Sequence, residues 1–473
     1  MASTAIARRG RDIDMTNGPL FSGILRFILP LMTTNLLQQF YSAADIMIVG
    51  LSSEANAVGA LGATSAFLSL ILNLFIGFSI GANVIVARHI GASDQVKVER
   101  SVHTAVAMGL LFGLAGGVVG SLLVRPVLLW MGYTGTLLSL ALRYSYIYLA
   151  CLPFLSLTNF LSCILQAQGN TRITLWVLSG TGILNVGLNF LFITCTPLSV
   201  EGVAIATAIA NLASAAILLF YLYKQGGVCR FSPKKLCLDR AEFMEIVRVG
   251  LPSGLQNAMF SISNILISSA VLQINNAVTP PGSAYDPVIK SSASMASIES
   301  FIFGVLNATT ATASAFTAQN AGAKQPRRIT AAFLRIMLLS FVNATVFTAI
   351  FVLLRNPLLA LYGVSDSPDL LGSIAYDASL VRIWWKWPGY FIFALMNACA
   401  GTLRGLGKSA IAALISFFGT CVFRVLWIGT VFVWFPSLES IYLSYPVSYL
   451  ITAAVYFMTL LPLLRRAKRE PAA

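Results

Sequence analysis

Long apolar segments, separated by short polar ones, recur along the whole 473-residue chain. Each is close to the ~20 residues with which a helix crosses about 30 Å of hydrocarbon. The apolar residues are continuous rather than alternating with polar ones, so the pattern predicts membrane-spanning helices and not the strands of a membrane β-barrel. The twelve predicted helices span residues 24–50, 57–87, 101–124, 138–165, 173–193, 201–223, 246–272, 290–320, 330–354, 378–402, 409–434 and 440–464.

The second half of the chain repeats the first. Three pairs of segments match in the same order: RFILPLMTTNLLQQF (26–40) with VRVGLPSGLQNAMF (247–260), ARHIGAS (87–93) with AQNAGAK (318–324), and LQAQGNTRITLWV (165–177) with LRGLGKSAIAALI (403–415). This duplication predicts two six-helix lobes. Because six is even, both lobes start on the same side of the membrane and should be related by a pseudo-two-fold axis along the membrane normal, with a substrate path between them.

The predicted fold class is therefore an all-α polytopic membrane protein in five parts. These are a cytoplasmic tail (1–20), an N-terminal six-helix lobe (21–223), a cytoplasmic linker (224–245), a C-terminal six-helix lobe (246–465) and a second cytoplasmic tail (466–473).

The composition excludes a water-soluble protein, since 57% of the residues are hydrophobic and only 10% are charged. In a soluble protein the net charge of +14 would suggest a nucleic acid partner, but here the position of the basic residues matters more. Of the 31 Lys and Arg residues, 24 fall on the side of the N-terminus and six on the other. The positive-inside rule then predicts a multi-pass protein of the plasma (inner) membrane, with both termini in the cytoplasm and no nucleic acid partner.

No sequence pattern points to an enzyme, a bound metal or a cofactor. The seven cysteines include no CxxC pair, and the chain has neither an HExxH nor a GxSxG pattern. GLGKSA (405–410) ends like a phosphate-binding loop, but Thr402 stands where such a loop needs glycine. The chain is predicted not to be an enzyme.

Charged side chains inside the predicted helices are the main functional signal, because each costs roughly 2.5 to 3.5 kcal/mol to insert at the bilayer centre. With alternating topology, the charged and polar candidates all fall between the midplane and the outer surface. They are Asp45, Glu299, Lys386 and Arg424, together with the polar side chains Asn185, Asn189 and Thr207.

Structural interpretations of these residues remain open. Asp45 could be a hydrated acid at the outer interface, and the two asparagines, one turn apart, could hold helices together by hydrogen bonds. The acid and two bases of the second lobe, Glu299, Lys386 and Arg424, could neutralise one another as a purely structural cluster.

These residues also carry a resemblance to a known family. YSAADIMIVG (41–50), ILNVGLNFLFI (183–193), the Leu-Pro start of each lobe and the repeated segments after the second, fourth, eighth and tenth helices stand in one order. From about residue 20 to 465 the chain resembles the multidrug and toxic compound extrusion (MATE) transporters of prokaryotes. The resemblance implies a secondary active antiporter that works by alternating access. It would export small organic compounds, often cationic, across the lipid bilayer in exchange for H⁺ or Na⁺, as a monomer and without a cofactor.

The resemblance also implies roles for individual residues. The positions of the family's first-lobe cation site read Asp45, Asn185, Asn189 and Thr207, and Asn189 stands where the family has a second acid. With one negative charge fewer, the site should favour H⁺ over Na⁺, although Na⁺ at Asp45 stays open.

The family resemblance implies two further roles. Pro30 matches a proline at which the first helix bends in the family. ASIESFIF (296–303) resembles a branch with an acid in the eighth helix, so Glu299, with Lys386 and Arg424, could serve coupling or substrate binding.

Two other functions remain as alternatives. A flippase of lipid-linked oligosaccharides, from the same superfamily, would need several cations in its central cavity to hold a diphosphate, and Lys386 and Arg424 would be the candidates. A non-transporting receptor or membrane enzyme is the alternative of another class, although it would not require duplicated lobes.

Overall fold

The computed structural model describes residues 13–49, 57–196, 198–227, 229–280, 283, 285–366 and 369–469. Most of the predicted N-terminal tail and the last four residues of the C-terminal tail lie outside the described residues. Within the described chain every long element is a helix.

Twelve helical segments coincide with the twelve predicted spans. They are α1 (Leu20–Val49), α2 (Ala57–Gly91), α3 (Gln95–Trp130), α4 (Gly135–Ala150 and Leu152–Gln168), α5 (Thr171–Cys195), α6 (Val200–Lys224), α7 (Arg240–Val278), α8 (Pro287–Gly322), α9 (Pro326–Leu353), α10 (Leu370–Lys386 and Tyr390–Gly405), α11 (Ser409–Trp434) and α12 (Leu438–Arg469). A short helix, Arg355–Leu361, joins α9 to α10.

Ten of these segments in the described chain are single stretches long and apolar enough to cross a membrane, and the bent pair of α4 makes an eleventh. The twelfth, α10, is interrupted by a 3₁₀ turn at Trp387–Gly389. The predicted all-α fold with twelve spans in two six-helix lobes is confirmed.

Prolines account for two of the breaks. The halves of α4 meet at 48° next to Pro153, and Pro388 lies in the turn that divides α10. Proline has no N–H to donate and its ring clashes with the preceding turn, so a helix tends to break or bend beside it. In α11 the irregularity is a π-helical turn, Phe417–Val422.

Several helices extend beyond the apolar stretch that predicted them. α7 begins at Arg240, within the predicted linker, because the side chain of Asp239 accepts the backbone N–H groups of Ala241 and Glu242 at 2.9 and 3.2 Å. Such a cap satisfies donors that a helix start leaves free. The added turns of α7 contain charged residues, among them Arg240, Glu242 and Glu245, so the apolar stretch does not include them.

The two lobes meet mainly along α2 and α7, with α8 lying against α1 and α2. Close approach is greatest in the half of the interface nearest the face on which the described chain begins, at Ile13, and ends, at Arg469. This face is here called the terminal face. A Cβ atom on Gly77 would collide with the backbone of Gly254, and one on Gly81 with that of Ile246 and Gly250. Glycine is required where two helix backbones approach so closely.

Polar contacts also join the lobes at the terminal face. His89 Nε2 of α2 lies 3.0 Å from Glu242 Oε2 of α7, and both side chains are buried. Gln319 of α8 donates to the carbonyl of Ala167 in α4 at 2.6 Å. The lobes are therefore closed against each other on this side.

The segment before α1 crosses the same seam. The backbone N–H of Ile13 donates to the Gly169 carbonyl of the first lobe at 3.4 Å. The carbonyl of Met15 accepts from Asn320 Nδ2 at 3.1 Å and from Arg328 Nε at 3.0 Å, both in the second lobe. This segment ties the lobes together at the terminal face.

We expect Gly81→Ala to disturb the seam between the lobes. The added methyl group would overlap the backbone of α7, and overpacking of this kind typically costs about 1 to 3 kcal/mol. Thermal unfolding of the purified protein in detergent measures the loss. The matched control is Gly180→Ala, because a Cβ atom there meets nothing within 4 Å. Equal melting temperatures for the two variants would contradict the close packing of α2 on α7.

Candidate functional site

A polar site in the first lobe is built around Asp45, near the end of α1. Asn189 Nδ2 of α5 donates to Asp45 Oδ1 at 2.5 Å. Asn185 lies one turn earlier on the same face of α5 and is buried, as is Asn189. The partly buried carboxylate therefore points at the α5 amides, in the grouping that the family resemblance implies.

Thr207 of α6 completes this group through Asn185. With the Asn185 nitrogen facing α1, that nitrogen donates to Asp45 Oδ1 at 2.9 Å, and the amide oxygen accepts from the Thr207 backbone N–H at 3.3 Å. In the opposite orientation the nitrogen donates to Thr207 Oγ1 at 3.3 Å. The first is favoured because the second sets an amide oxygen against a carboxylate oxygen.

Tyr41, one turn before Asp45, holds α1 against α5. Its hydroxyl donates to the carbonyl of Ser179 at 3.1 Å. Its ring lies on the backbone of α5 at Gly182, where a Cβ atom would collide with it. A small residue in α5 thus lets α1 approach closely enough for Asp45 to reach the asparagines.

The hydrogen-bond donors around Asp45 influence which cation its carboxylate could bind. Asp45 is the only carboxylate of the group, and its Oδ1 accepts N–H groups from both asparagines when Asn185 faces α1. No cluster of three or more His, Cys, Asp or Glu side chains that could hold a metal ion occurs in the described part of the chain. Hard cations prefer several oxygen ligands, whereas a proton needs only one lone pair.

A second polar site lies inside the second lobe, centred on Glu299 of α8. Arg382 of α10 binds this carboxylate with both arms of its fork, Nε to Oε1 at 2.9 Å and Nη2 to Oε2 at 2.6 Å. Lys386 Nζ donates to Oε2 at 2.6 Å, and Trp387 Nε1 to Oε1 at 3.2 Å. All these side chains are buried. Each oxygen of Glu299 accepts two hydrogen bonds, and two cations pair with its charge.

Arg382 is the residue that the sequence pattern did not single out, because it stands only about one turn inside the predicted span. The predicted span began at 378, whereas α10 begins at Leu370, which places Arg382 three turns into the helix. The sequence did contain a signal for it: Arg382 precedes Lys386 by four residues, which puts the two cations on one helix face.

Arg424 of α11 does not join Glu299, so the alternative in which Glu299, Lys386 and Arg424 neutralise one another does not describe its contacts. Its Nε donates to Ser448 Oγ of α12 at 3.0 Å. Its guanidinium carbon lies 4.1 Å from the ring centre of Tyr445, and Lys386 Nζ lies 4.1 Å from the same centre. The two cations are thus no more than about 8 Å apart, where their repulsion is about 2 kcal/mol at an effective dielectric constant of about 20.

Pro30 lies within α1, which continues as helix on both sides of it. Proline leaves the carbonyl of Arg26 without its usual partner, and Thr34 Oγ1 donates to the Pro30 carbonyl at 2.8 Å. Asn35, just over one turn after Pro30, donates through Nδ2 to the Gly304 carbonyl of α8 at 2.8 Å. A bend at Pro30 stays a prediction, while α1 clearly bridges the first-lobe site and α8.

The MatE family model matches residues 30–191 and 291–428, one segment in each lobe. The chain is 23% identical over 399 residues to the "Probable multidrug resistance protein YoeA" of Bacillus subtilis, covering 83% of this chain and 82% of the relative. It is 24% identical over 258 residues to the "Multidrug export protein MepA" of Staphylococcus aureus, covering 54% and 57%.

The fold is also similar to that of a solved transporter. A MOP superfamily transporter from Pyrococcus furiosus, described as having a binding pocket of reverse polarity, superposes with a TM-score of 0.88 at 19% identity. The superposition covers 98% of this chain and all of that one.

We expect Glu299→Gln to destabilise the second lobe strongly. Loss of the carboxylate leaves Arg382 and Lys386 as unpaired buried cations, and breaking such a cluster typically costs about 3 to 5 kcal/mol. Lys386→Met should cost less, because the bidentate pair of Glu299 with Arg382 remains. Denaturant unfolding in detergent gives both free energies.

The control for this prediction is Glu245→Gln, at an exposed acid on α7 that should change stability little. Stability of Glu299→Gln within the range of that control would show that Glu299 does not compensate the two cations.

Proposed function

The chain belongs to the MatE family of multidrug transporters, and from this we propose that it is a secondary active antiporter that exports organic compounds in exchange for protons. The membership makes it a membrane-embedded transporter rather than an enzyme. The proposal adds the coupling ion, the direction of transport and the residues that carry them. It also places the protein in the plasma (inner) membrane as a monomer, with both termini in the cytoplasm.

The contact of Asp45 with the α5 amides carries this proposal. A single carboxylate held by N–H donors can accept a proton without rebuilding its surroundings, whereas Na⁺ would need further oxygen ligands in place of those donors. A charge-assisted hydrogen bond from an amide to a carboxylate is roughly twice as strong as one to a neutral acceptor. Protonation of Asp45 would therefore weaken the tie between α1 and α5.

The lobe contacts supply the other half of the mechanism. If the terminal face is cytoplasmic, as the distribution of basic residues predicts, the closed side is the inner one and the protein faces outward. A proton then reaches Asp45 from outside, loosens α1, and permits α1 to bend at Pro30. Because Asn35 binds the Gly304 carbonyl, that movement is transmitted to α8 and the second lobe.

The driving force is sufficient with one proton for each substrate molecule. One elementary charge moving through 100 mV supplies about 2.3 kcal/mol. That free energy sustains a gradient of about 50-fold in a neutral compound, at about 1.4 kcal/mol per decade. Coupling further requires that the proton bind the outward-facing and inward-facing forms with different affinity, since equal affinity shifts no equilibrium.

A flippase function finds less support in the second lobe. Holding a diphosphate would take several free cations, but Arg382 and Lys386 are committed to Glu299. Only Arg424 of the three is without an acidic partner in the part of the chain that the structure describes.

We expect Asp45→Asn to abolish proton-driven efflux. The amide keeps the shape of the side chain but cannot take up and release a proton, so transport in proteoliposomes should fall at least tenfold. Efflux of ethidium driven by an imposed pH gradient measures it. Asp366→Asn, at an exposed acid in a loop, should transport like the wild type. Efflux by Asp45→Asn at a rate near that of the control would refute the assignment.

Replacement of external Na⁺ by choline at constant pH is expected to leave the efflux rate unchanged. The physical reason is that the first-lobe site has one carboxylate and offers N–H donors where a sodium ion needs oxygen atoms. The same proteoliposomes serve for the measurement, and collapse of the pH gradient provides the positive control. A rate that follows the Na⁺ gradient instead would assign sodium coupling to the site.

A further inference from the structure

Arg424 of α11 is a buried cation without an acidic partner. Its side chain is 2% exposed, inside the second lobe. Among the described residues no carboxylate lies within ion-pair distance of it, and its Nη2 is buried without a hydrogen-bond partner. A guanidinium withdrawn from water is unfavourable unless an opposite charge and hydrogen-bond acceptors compensate it.

The neighbouring groups do not supply that compensation. Glu299, the acid that pairs with the other two cations of this cluster, is saturated by Arg382, Lys386 and Trp387. Tyr445 and Tyr449 place their rings 4.1 and 5.1 Å from the guanidinium carbon, but an aromatic ring offsets only part of the cost of burying a cation. The cluster of Glu299, Arg382, Lys386 and Arg424 thus holds three cations against one carboxylate.

The backbone beside Arg424 is irregular on both sides. The π-helical turn Phe417–Val422 precedes it directly, and the seven-residue helical piece Phe423–Gly429 that carries it ends at Thr430. π-helical turns occur frequently at functional sites. A short helical piece between two irregular turns can shift relative to its neighbours more readily than a long continuous helix, which would open a route to the guanidinium.

From these observations we infer that Arg424, with Tyr445 and Tyr449, forms a binding site for the anionic group of an amphipathic molecule, such as a carboxylate, sulfonate or phosphate. The guanidinium offers N–H donors in a fork that matches such a group, and the tyrosine rings offer apolar surface for the rest of the molecule. The substrates of this transporter then include organic anions, which the first-lobe site alone would not suggest.

The inference names a substrate class and so rests on the proposed export function. A binding measurement separates the two, because it does not require proton coupling. Asp45→Asn should still bind an anionic probe in a way that depends on Arg424, even though it cannot transport. Failure of the coupling assignment and failure of the anion site therefore give different results.

The experiment measures equilibrium binding of two aromatic dyes by fluorescence anisotropy, with the full-length protein in phosphatidylcholine nanodiscs. Fluorescein is the anionic probe and ethidium the cationic one. We expect Arg424→Gln to weaken fluorescein binding at least tenfold while ethidium binding changes less than twofold. Arg424→Lys keeps the charge but loses the fork, so it should weaken fluorescein binding by a smaller factor.

The matched control is Arg335→Gln, which removes an exposed arginine of the same lobe and should leave both affinities unchanged. A second arm replaces phosphatidylcholine by phosphatidylglycerol without dye. If this lipid raises the melting temperature of the wild type but not of Arg424→Gln, and fluorescein binding does not depend on Arg424, the anionic group is a lipid phosphate. If neither fluorescein nor phosphatidylglycerol depends on Arg424, the anion site is refuted.

Discussion

An ionised side chain inside the hydrocarbon region has to find a partner, because water is not there to solvate it. This constraint organises both polar sites of the protein. In the first lobe Asp45 is stabilised by neutral amides, which bind its charged form without cancelling its charge. In the second lobe Glu299 is stabilised by two cations, whose combined positive charge exceeds its single negative charge. In the proposed mechanism the first acid takes up and releases a proton, while the other is held by its ion pairs.

The lobes therefore differ in chemistry although their folds are repeats of one another. The first holds a single negative group among amides and hydroxyls, and the second holds an excess of positive charge beneath tyrosine rings. α1 connects them, since it carries Asp45 on one side and donates from Asn35 to the α8 carbonyl of Gly304 on the other. A change of charge in the first lobe is thereby brought within reach of the helix that carries Glu299, as the proposed alternating access between two lobes would require.

Much of the first-lobe site could be predicted. Two asparagines one turn apart in an apolar helix indicate a polar face. Asp45 lies at a comparable depth, and the family resemblance implied that it meets this face. The second-lobe site was predicted less well. Depth along the chain identified Glu299, Lys386 and Arg424 as buried charges, but it did not show that Arg382 rather than Arg424 pairs with the acid, because pairing depends on which way each helix face points.

The sequence by itself determined the twelve spans and their duplication. The thickness of the bilayer imposes a minimum length on every apolar stretch, and that requirement is local to each segment. Tertiary structure alone decided the partners of the buried charges. The 3₁₀ turn at Trp387–Gly389 and the π-helical turn at Phe417–Val422 alter the rotation of α10 and α11. Hydropathy reports how deep a residue lies, but not the direction in which its side chain points, so these partners emerge only when the helices pack.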